Sequence, residues 1–217
     1  MSEIEQSRPR GRPRSEAKRQ AIFEATLALI DSRGFTGVSV DRIAERAGVE
    51  KATIYRWWPN KAVLAIDAVL SAIDPGAPHP KSGSARQDLV THLRYLIRIF
   101  RGAKTRHVIA SFLAEAQHDP ELAAEVDARV QAPRRAGAKL ILEDGIGRGE
   151  LRSDLDCDAV LDAIYGPIYY RFLITRQPMT SRYADVVLDH IWPAITAQTT
   201  THTARNTNTR RRSQQGR

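Results

Sequence analysis

The sequence SVDRIAERAGVEKATIYRWWPNK, at residues 39–61, restricts the possible folds of this chain more than any other segment. Its apolar residues recur at helical spacing before Gly48 and again after it, which predicts two short helices joined by a tight turn. The side-chain oxygen of Ser39 can cap the first helix, and Gly48 can adopt the positive φ that the turn needs. Two short helices joined in this way form a helix-turn-helix, whose second helix enters the major groove of DNA.

The second helix, at about residues 51–57, has one apolar and one polar face. Ile54 and Trp58 are apolar and are expected to point into the core. The outward side chains offer hydrogen-bond donors to phosphates and base edges, and methyl groups to thymine. Together with the first residue of the motif, this face gives the predicted DNA contacts Ser39, Lys51, Ala52, Thr53 and Tyr55.

Asn60 and Lys61 mark the start of the next helix. Asn60 is a favourable N-cap residue, which puts Lys61 in the first helical turn. A cation at this end of a helix opposes the helix dipole, so a nearby DNA phosphate would explain why Lys61 is there. The alternative for the whole segment is a helical hairpin with solvated charges, and the length of the matching string favours the DNA-reading interpretation.

Residues 12–73 resemble the DNA-binding domain of TetR/AcrR-type transcriptional regulators. The resemblance rests on the long first helix, the string DRIAERAGVEKATIYRWWPNKAVL and the basic RGRPR arm before it. It implies an all-helical dimer that represses transcription until a small molecule binds its C-terminal domain. It also implies DNA contacts for Lys51, Thr53 and Tyr55, a phosphate contact for Lys61, and a place near the DNA backbone for Trp57.

One residue of the motif departs from the family pattern. Glu50 stands where the family often has Ser as the N-cap of the recognition helix, and Glu is a weaker N-cap. The contacts made by the first turn of this helix are therefore expected to differ from the family pattern.

The basic charge of the chain lies at its two ends. The formal net charge is +8, of which residues 1–20 carry +3 and residues 199–217 carry +5. The sequence between them is neutral overall, so electrostatic attraction to DNA is expected to come mainly from the terminal segments.

Residues 1–14 are predicted to form a disordered basic arm, because Arg alternates there with Pro and Gly. An extended arm of this kind suits a narrow minor groove, whose negative potential attracts guanidinium groups. Arg10, Arg12 and Arg14 are the predicted contacts, and a solvated tail without DNA contacts is the alternative. Residues 199–217 are polar and low in complexity, which predicts a disordered tail that either adds non-specific DNA affinity or has no role.

The rest of the chain reads as all-α, with about nine helices in two domains. An N-terminal helix-turn-helix DNA-binding domain occupies residues 15–73, and a helical ligand-binding and dimerisation domain occupies residues 84–198. The Pro- and Gly-containing segment between them is expected to be a linker. The first helix is predicted from a Ser15 cap to Arg33, with a buried face formed by Ile22, Phe23, Thr26, Leu29 and Ile30.

The larger domain is predicted to contain five helices. The seventh helix of the chain is expected to run from about residue 119 to residue 144 and to bend at Pro133. Gly145, Gly147 and Gly149 are expected to form the loop after it. The last two helices are predicted at residues 156–174 and 182–196.

The eighth helix combines Gly166 and Pro167 with three Tyr and a Phe in the string IYGPIYYRFL. A proline inside a helix frees a carbonyl and bends the axis, and aromatic hydroxyls beside a bend can line a pocket. The candidate ligand contacts are Tyr165 and Tyr169, with Phe100, His107 and Phe112 facing the same interior if the family arrangement holds. The alternative is that these side chains are ordinary core, while the outer sides of residues 157–175 and 183–196 form the dimer interface that the resemblance implies.

Several classes of function find no support in the sequence. The six histidines show no metal-ligand spacing, the glycines at 145–149 lack the strand and Lys-Ser or Lys-Thr of a phosphate loop, and no catalytic set is evident. No enzyme activity, metal or cofactor is therefore expected. A single cysteine, no apolar run of membrane-spanning length and no signal peptide together favour the cytoplasm.

Two functions remain for such a chain. The favoured one is a homodimeric repressor that a small-molecule effector releases from a palindromic double-stranded DNA operator. The alternative is a constitutive or architectural DNA-binding protein whose helical body only dimerises. A cavity in the body would distinguish the two.

Overall fold

The computed structural model describes residues 12–73, 80–102 and 105–197. Within these ranges the chain forms nine helices and no strand, which confirms the predicted all-α class, and Leu151 and Thr196 form one isolated antiparallel bridge. The first six helices are α1 (Arg12–Arg33), α2 (Val40–Ala47), α3 (Lys51–Trp57), α4 (Lys61–Ala72), α5 (Ala85–Arg101) and α6 (Arg106–Glu115).

The last three helices include two irregular turns. Helix α7 consists of Pro120–Val126, a π-helical turn at Asp127–Gln131, and Ala132–Gly147. Helix α8 consists of Cys157–Tyr169 followed by a π-helical segment at Tyr170–Thr175, and α9 is Arg182–Ile195.

Helix α1 begins at Arg12 instead of the predicted Ser15, so Ser15 is not its N-cap. The earlier start is possible because proline is tolerated in the first turn of a helix, where its missing N–H has no intrahelical partner, and Pro13 is at such a position. The predicted buried face of α1 is confirmed, since Ile22, Phe23, Thr26, Leu29 and Ile30 are all buried.

The helix-turn-helix forms from the local signals that the sequence contains. The Ser39 hydroxyl accepts the N–H of Arg42 at 3.4 Å and caps α2. Gly48 ends α2 at a φ of 64°, in the left-handed region that favours glycine. Asn60 caps α4 by accepting the N–H of Val63 at 2.8 Å. These three residues define the start and end of α2 and the start of α4.

The buried side chains form two cores, and the first extends beyond the four helices of the N-terminal head. The first core contains α1–α4 and also Val108 and Phe112 of α6 and Leu122 and Val126 of α7. The second contains α5, the Ala132–Gly147 part of α7, α8 and α9. The N-terminal head is therefore packed directly against two helices of the body.

Helix α7 is irregular close to the predicted bend at Pro133, but it extends past its predicted end. Its irregular turn lies at Asp127–Gln131, just before Pro133, because the proline ring clashes with the carbonyl four residues earlier. The helix then continues through Gly145 and Gly147, which were predicted to be in a loop. A Cβ at Gly145 would lie 2.7 Å from the Cβ of Ala85, so this glycine allows α7 to approach α5 closely.

Candidate nucleic-acid interface and internal cavity

Helix α3 buries one face and exposes the other, as predicted. Ile54 and Trp58 are 1% and 4% exposed and pack in the first core. On the opposite face Lys51, Ala52 and Tyr55 are exposed and Thr53 is half-buried. Ser39 is exposed and Trp57 half-buried, with the Trp57 ring edge-on to Trp58 at a centroid distance of 5.4 Å. The predicted contacts of the helix-turn-helix are therefore accessible to a DNA duplex.

An ion pair across the helix-turn-helix orients Lys51. Its ammonium lies 2.8 Å from a carboxylate oxygen of Asp41 on α2, and this carboxylate raises the pKa of Lys51. The same ammonium lies 5.9 Å from the centre of the Tyr55 ring.

The recognition helix α3 has no side-chain cap at its start. The carboxylate of Glu50 makes no capping hydrogen bond, while its backbone carbonyl accepts the N–H of Thr53 at 2.9 Å. This result agrees with the expectation that Glu50 is a weak N-cap.

Lys61 has a structural role that the sequence did not predict. Its ammonium donates to the backbone carbonyls of Phe35 and Val38, both at 3.0 Å, and lies 4.1 Å from the centre of the Phe35 ring. Burial lowers the pKa of Lys61. Because an ammonium has three N–H groups, a phosphate contact would have to use the remaining one.

We predict that Lys61→Met lowers the free energy of unfolding by about 1–2 kcal/mol, because two charge-assisted hydrogen bonds to the turn between α1 and α2 are removed. Urea denaturation measures this change. Lys81→Met is a control for the removal of one exposed lysine and should leave the stability unchanged. Equal stability of wild-type protein and Lys61→Met would show that the two carbonyl contacts contribute nothing.

The N-terminal arm lies mostly outside the described residues, and Arg10 is among those not described. Arg12 and Arg14 belong to the first turn of α1 instead of the predicted extended arm, because α1 starts earlier than expected. Any extended arm would therefore end before Arg12.

Asp67 of α4 connects the end of the recognition helix to the body of the protein. The Trp58 indole N–H donates to one carboxylate oxygen of Asp67 at 2.9 Å. The guanidinium of Arg129, in the irregular turn of α7, lies 3.5 Å from the other oxygen. Arg129 is also paired with Glu125 at 2.7 Å. Asp67 is therefore in contact with both the residue that ends α3 and the irregular turn of α7.

A cavity of about 250 Å³ lies between the two cores. Its wall is mostly apolar, and five helices contribute to it. The lining side chains are Ile66, Val69, Leu70 and Ile73 from α4 and its end, His92, Tyr95, Ile99 and Phe100 from α5, Ile109, Phe112 and Leu113 from α6, Val126, Arg129, Val130, Gln131, Pro133 and Arg134 from α7, and Tyr169 from α8.

Three of the five candidate ligand residues line this cavity, namely Phe100, Phe112 and Tyr169. Tyr165 lies behind the wall, where its hydroxyl is 2.7 Å from Nε2 of His92, and burial raises the pKa of Tyr165 to about 12. The prediction that His107 faces the same interior is wrong, since its side chain is exposed. Helix α6 turns Val108 and Phe112 into the core, and His107 consequently points away from it.

The sequence did not identify the cavity residues of α4 and α7. The contribution of α4 had no clear signal, because its apolar residues are those expected of an ordinary core helix. Arg129, Gln131 and Arg134 had none, since they come to the cavity only through the irregular turn of α7.

Helices α8 and α9 expose large apolar side chains on the outer surface. Tyr170 and Ile174 are 57% and 66% exposed, and Leu173 and Val186 are 37% and 38% exposed. In the described ranges no helix is long and apolar enough to cross a membrane. The same ranges contain no group of three His, Cys, Asp or Glu side chains arranged to hold a metal ion.

The chain matches two family profiles that together span most of its length. Residues 22–68 match the profile described as bacterial regulatory proteins of the tetR family. Residues 79–191 match a profile described as a tetracyclin repressor-like C-terminal domain.

Individual proteins show the same likeness. A protein of Bacillus subtilis strain 168, named as the uncharacterized HTH-type transcriptional regulator YdeS, is 46% identical over 83% of this chain and 91% of its own length. The solved structure of the TetR family transcription regulator SCO0332 is 27% identical, has a TM-score of 0.65, and overlaps 81% of this chain and 97% of the other.

The fold also occurs in a solved complex with a ligand. The transcriptional regulator FadR from Bacillus subtilis, in complex with stearoyl-CoA, has a TM-score of 0.65 at 21% identity. The match covers 79% of this chain and 96% of that structure. At this level of identity the likeness concerns the fold.

Proposed function

The chain belongs to the TetR family of transcriptional regulators, and on that premise we propose that it is a dimeric repressor released from a palindromic operator by a small-molecule effector. The family consists of regulators and not of enzymes. The observation that carries the proposal is the cavity between the two cores, because α4 of the DNA-binding head forms one of its walls. A molecule in this cavity would touch the head and the body together.

The outer face of α8 and α9 is the proposed dimer interface, and a second copy of the chain is its occupant. The exposed apolar side chains Tyr170, Leu173, Ile174 and Val186 on these two helices support this assignment, since exposed apolar surface often marks an interaction site. Sedimentation equilibrium at micromolar concentration tests it, with a mass of two chains expected. A mass of one chain would contradict it.

A dimer would also supply the specificity that one head lacks. A single recognition helix reads only a few base pairs, which is too few to identify one site in a genome. Two heads related by a twofold axis read two half-sites at a fixed spacing. A change in that spacing then lowers operator affinity without any change in α3 itself.

Two routes connect the cavity to DNA binding in this proposal. The first route runs along α8 to the proposed dimer interface. Tyr169 lines the cavity, its neighbour Tyr170 is on the outer face, and Gly166 and Pro167 shortly precede both in the sequence. On α7, Arg129 lines the cavity and contacts Asp67, which in turn holds Trp58 at the end of α3. By thermodynamic linkage, an effector that weakens DNA binding must itself bind more weakly when DNA is present, by the same factor.

The alternative of a constitutive or architectural DNA binder predicts no ligand effect. The cavity favours the effector-controlled repressor, because a body that served only for dimerisation would have no need of an apolar pocket between the two cores. As a repressor of transcription the protein is proposed to act in the cytoplasm, where its operator lies.

We predict that Arg8→Gln combined with Arg10→Gln weakens operator binding and lowers the slope of log K against log salt concentration by about one unit for each phosphate that the arm no longer binds. Both residues lie outside the described part of the chain, and the prediction rests on the basic arm of the sequence. Arg210→Gln with Arg211→Gln is the matched control, with the same change of charge in the C-terminal tail, and we expect a smaller, sequence-independent decrease in affinity. Unchanged affinity and slope in the arm variant would exclude a role for the arm.

A further inference from the structure

We propose that the cavity selects a small, mostly apolar molecule bearing a carboxylate, and that Arg134 is the residue that binds the carboxylate. This inference rests on the proposed effector-controlled function and adds to it the chemical class of the effector. The decisive feature is that the two arginines in the cavity wall have different partners.

Arg129 is already neutralised by the protein. Its guanidinium pairs with Glu125 at 2.7 Å and with Asp67 at 3.5 Å, so its charge is compensated before any ligand binds. An anion in the cavity would have to compete with both carboxylates for this side chain.

Arg134 has only neutral partners among the described residues. Its guanidinium donates to the Tyr169 hydroxyl at 2.5 Å and to the side-chain carbonyl of Gln131. The guanidinium also lies 5.7 Å and 5.8 Å from the ring centres of Tyr165 and Tyr169. Its Nε is buried and has no hydrogen-bond partner among the described residues.

The half-buried Arg134 is thus a positive charge in the wall of an apolar space, and no carboxylate of the described residues pairs with it. A guanidinium remains protonated in proteins, so the site cannot avoid the cost of this charge by losing a proton. A carboxylate supplies the opposite charge and acceptor oxygens for the guanidinium, and such charge-assisted hydrogen bonds are roughly twice as strong as neutral ones. A cationic ligand would be repelled, and one uncompensated charge matches a monoanion better than a dianion.

The size and lining of the cavity guide the choice of the rest of the ligand. At roughly 30 Å³ for each water-sized group, 250 Å³ holds on the order of ten non-hydrogen atoms. Ile66, Val69 and Ile99 of the wall are apolar, so the part of the ligand away from Arg134 should be hydrocarbon. Octanoate has this size and chemistry and is the probe for the experiment.

Isothermal titration calorimetry of the full chain without DNA compares octanoate with the neutral octanamide and the cationic octylamine. We expect octanoate to bind about tenfold more tightly than octanamide. This is the difference that one charge-assisted hydrogen bond makes in a partly buried site. Octylamine should bind most weakly. Arg134→Gln should remove the preference for octanoate, and Arg134→Lys, which keeps the charge, should retain part of it.

Arg135→Gln is the matched control for this titration. Arg135 is the next residue on α7 and loses the same charge on substitution, but it pairs with Asp158 and Asp162 on α8. The preference for octanoate should survive in this variant. Circular dichroism and thermal unfolding establish that each variant is folded.

The outcomes separate this inference from the proposed function. Equal binding of octanoate and octanamide, a preference that persists in Arg134→Gln, or no saturable binding of either probe would overturn the carboxylate site. Binding of octanoate through Arg134 that leaves operator affinity unchanged would instead confirm the site and contradict effector-controlled release.

Discussion

Ile174→Glu should convert the protein from a dimer to a monomer and weaken operator binding by about a hundredfold or more, because two linked heads gain their affinity from simultaneous binding. Ile174 is 66% exposed on the outer face of α8, where it is proposed to pack against a second copy of the chain. A glutamate there would bury a charge without a partner in the interface, which costs several kcal/mol. Sedimentation and fluorescence anisotropy on operator DNA measure the two effects.

Leu140→Glu is the matched control for this experiment. Leu140 is also a large, exposed apolar residue, at 58%, but it lies on α7 and outside the proposed interface. We expect this variant to remain a dimer and to bind operator as the wild type does. If Ile174→Glu stays dimeric, or if Leu140→Glu dissociates, the interface lies on another surface.

Asp67→Asn should retain operator binding but lose most of the response to effector. The asparagine oxygen can still accept the Trp58 indole N–H, whereas the charge that attracts Arg129 is gone. Allosteric coupling between two sites commonly amounts to 5–150-fold in affinity, and we expect the ratio of operator affinities without and with effector to fall by about tenfold. Anisotropy titrations at zero and saturating effector give this ratio.

Asp31→Asn is the control for this variant. Asp31 is an exposed carboxylate near the end of α1, away from the cavity wall. Its substitution makes the same charge change and should leave the response to effector intact. A full response in Asp67→Asn would exclude the contact between Arg129 and Asp67 as the connection and favour the route along α8.

The sequence predicted those features that depend on neighbouring residues. Ser39, Gly48 and Asn60 act within one helical turn of their own positions, so their roles could be inferred without knowing the fold. The inner face of α1 follows from helical periodicity in the same way. The start of α1 was predicted too late, because Pro13 was treated as a helix breaker although a first turn tolerates it.

The features that the sequence did not predict depend on contacts between distant residues. Asp67 bonds to Trp58 and to Arg129, and only the packing of α7 on α4 brings the last of these within reach. The family resemblance implied a ligand site in the body, but it did not show which face of α6 points into the core. His107 was therefore wrongly assigned to the buried face of this helix. The structural contacts of Lys61 with Phe35 and Val38 likewise need the path of the turn after α1.

Footprinting tests the proposal of a dimeric, effector-controlled repressor most directly. The experiment uses the DNA that flanks the gene for this protein, with and without a ligand that calorimetry has shown to bind. We predict two protected half-sites related by a twofold axis, with centres separated by one helical turn of about 34 Å or a multiple of it. The protection should disappear at saturating ligand. A single unpaired half-site, or protection that is unchanged when the cavity is occupied, would contradict the proposed function.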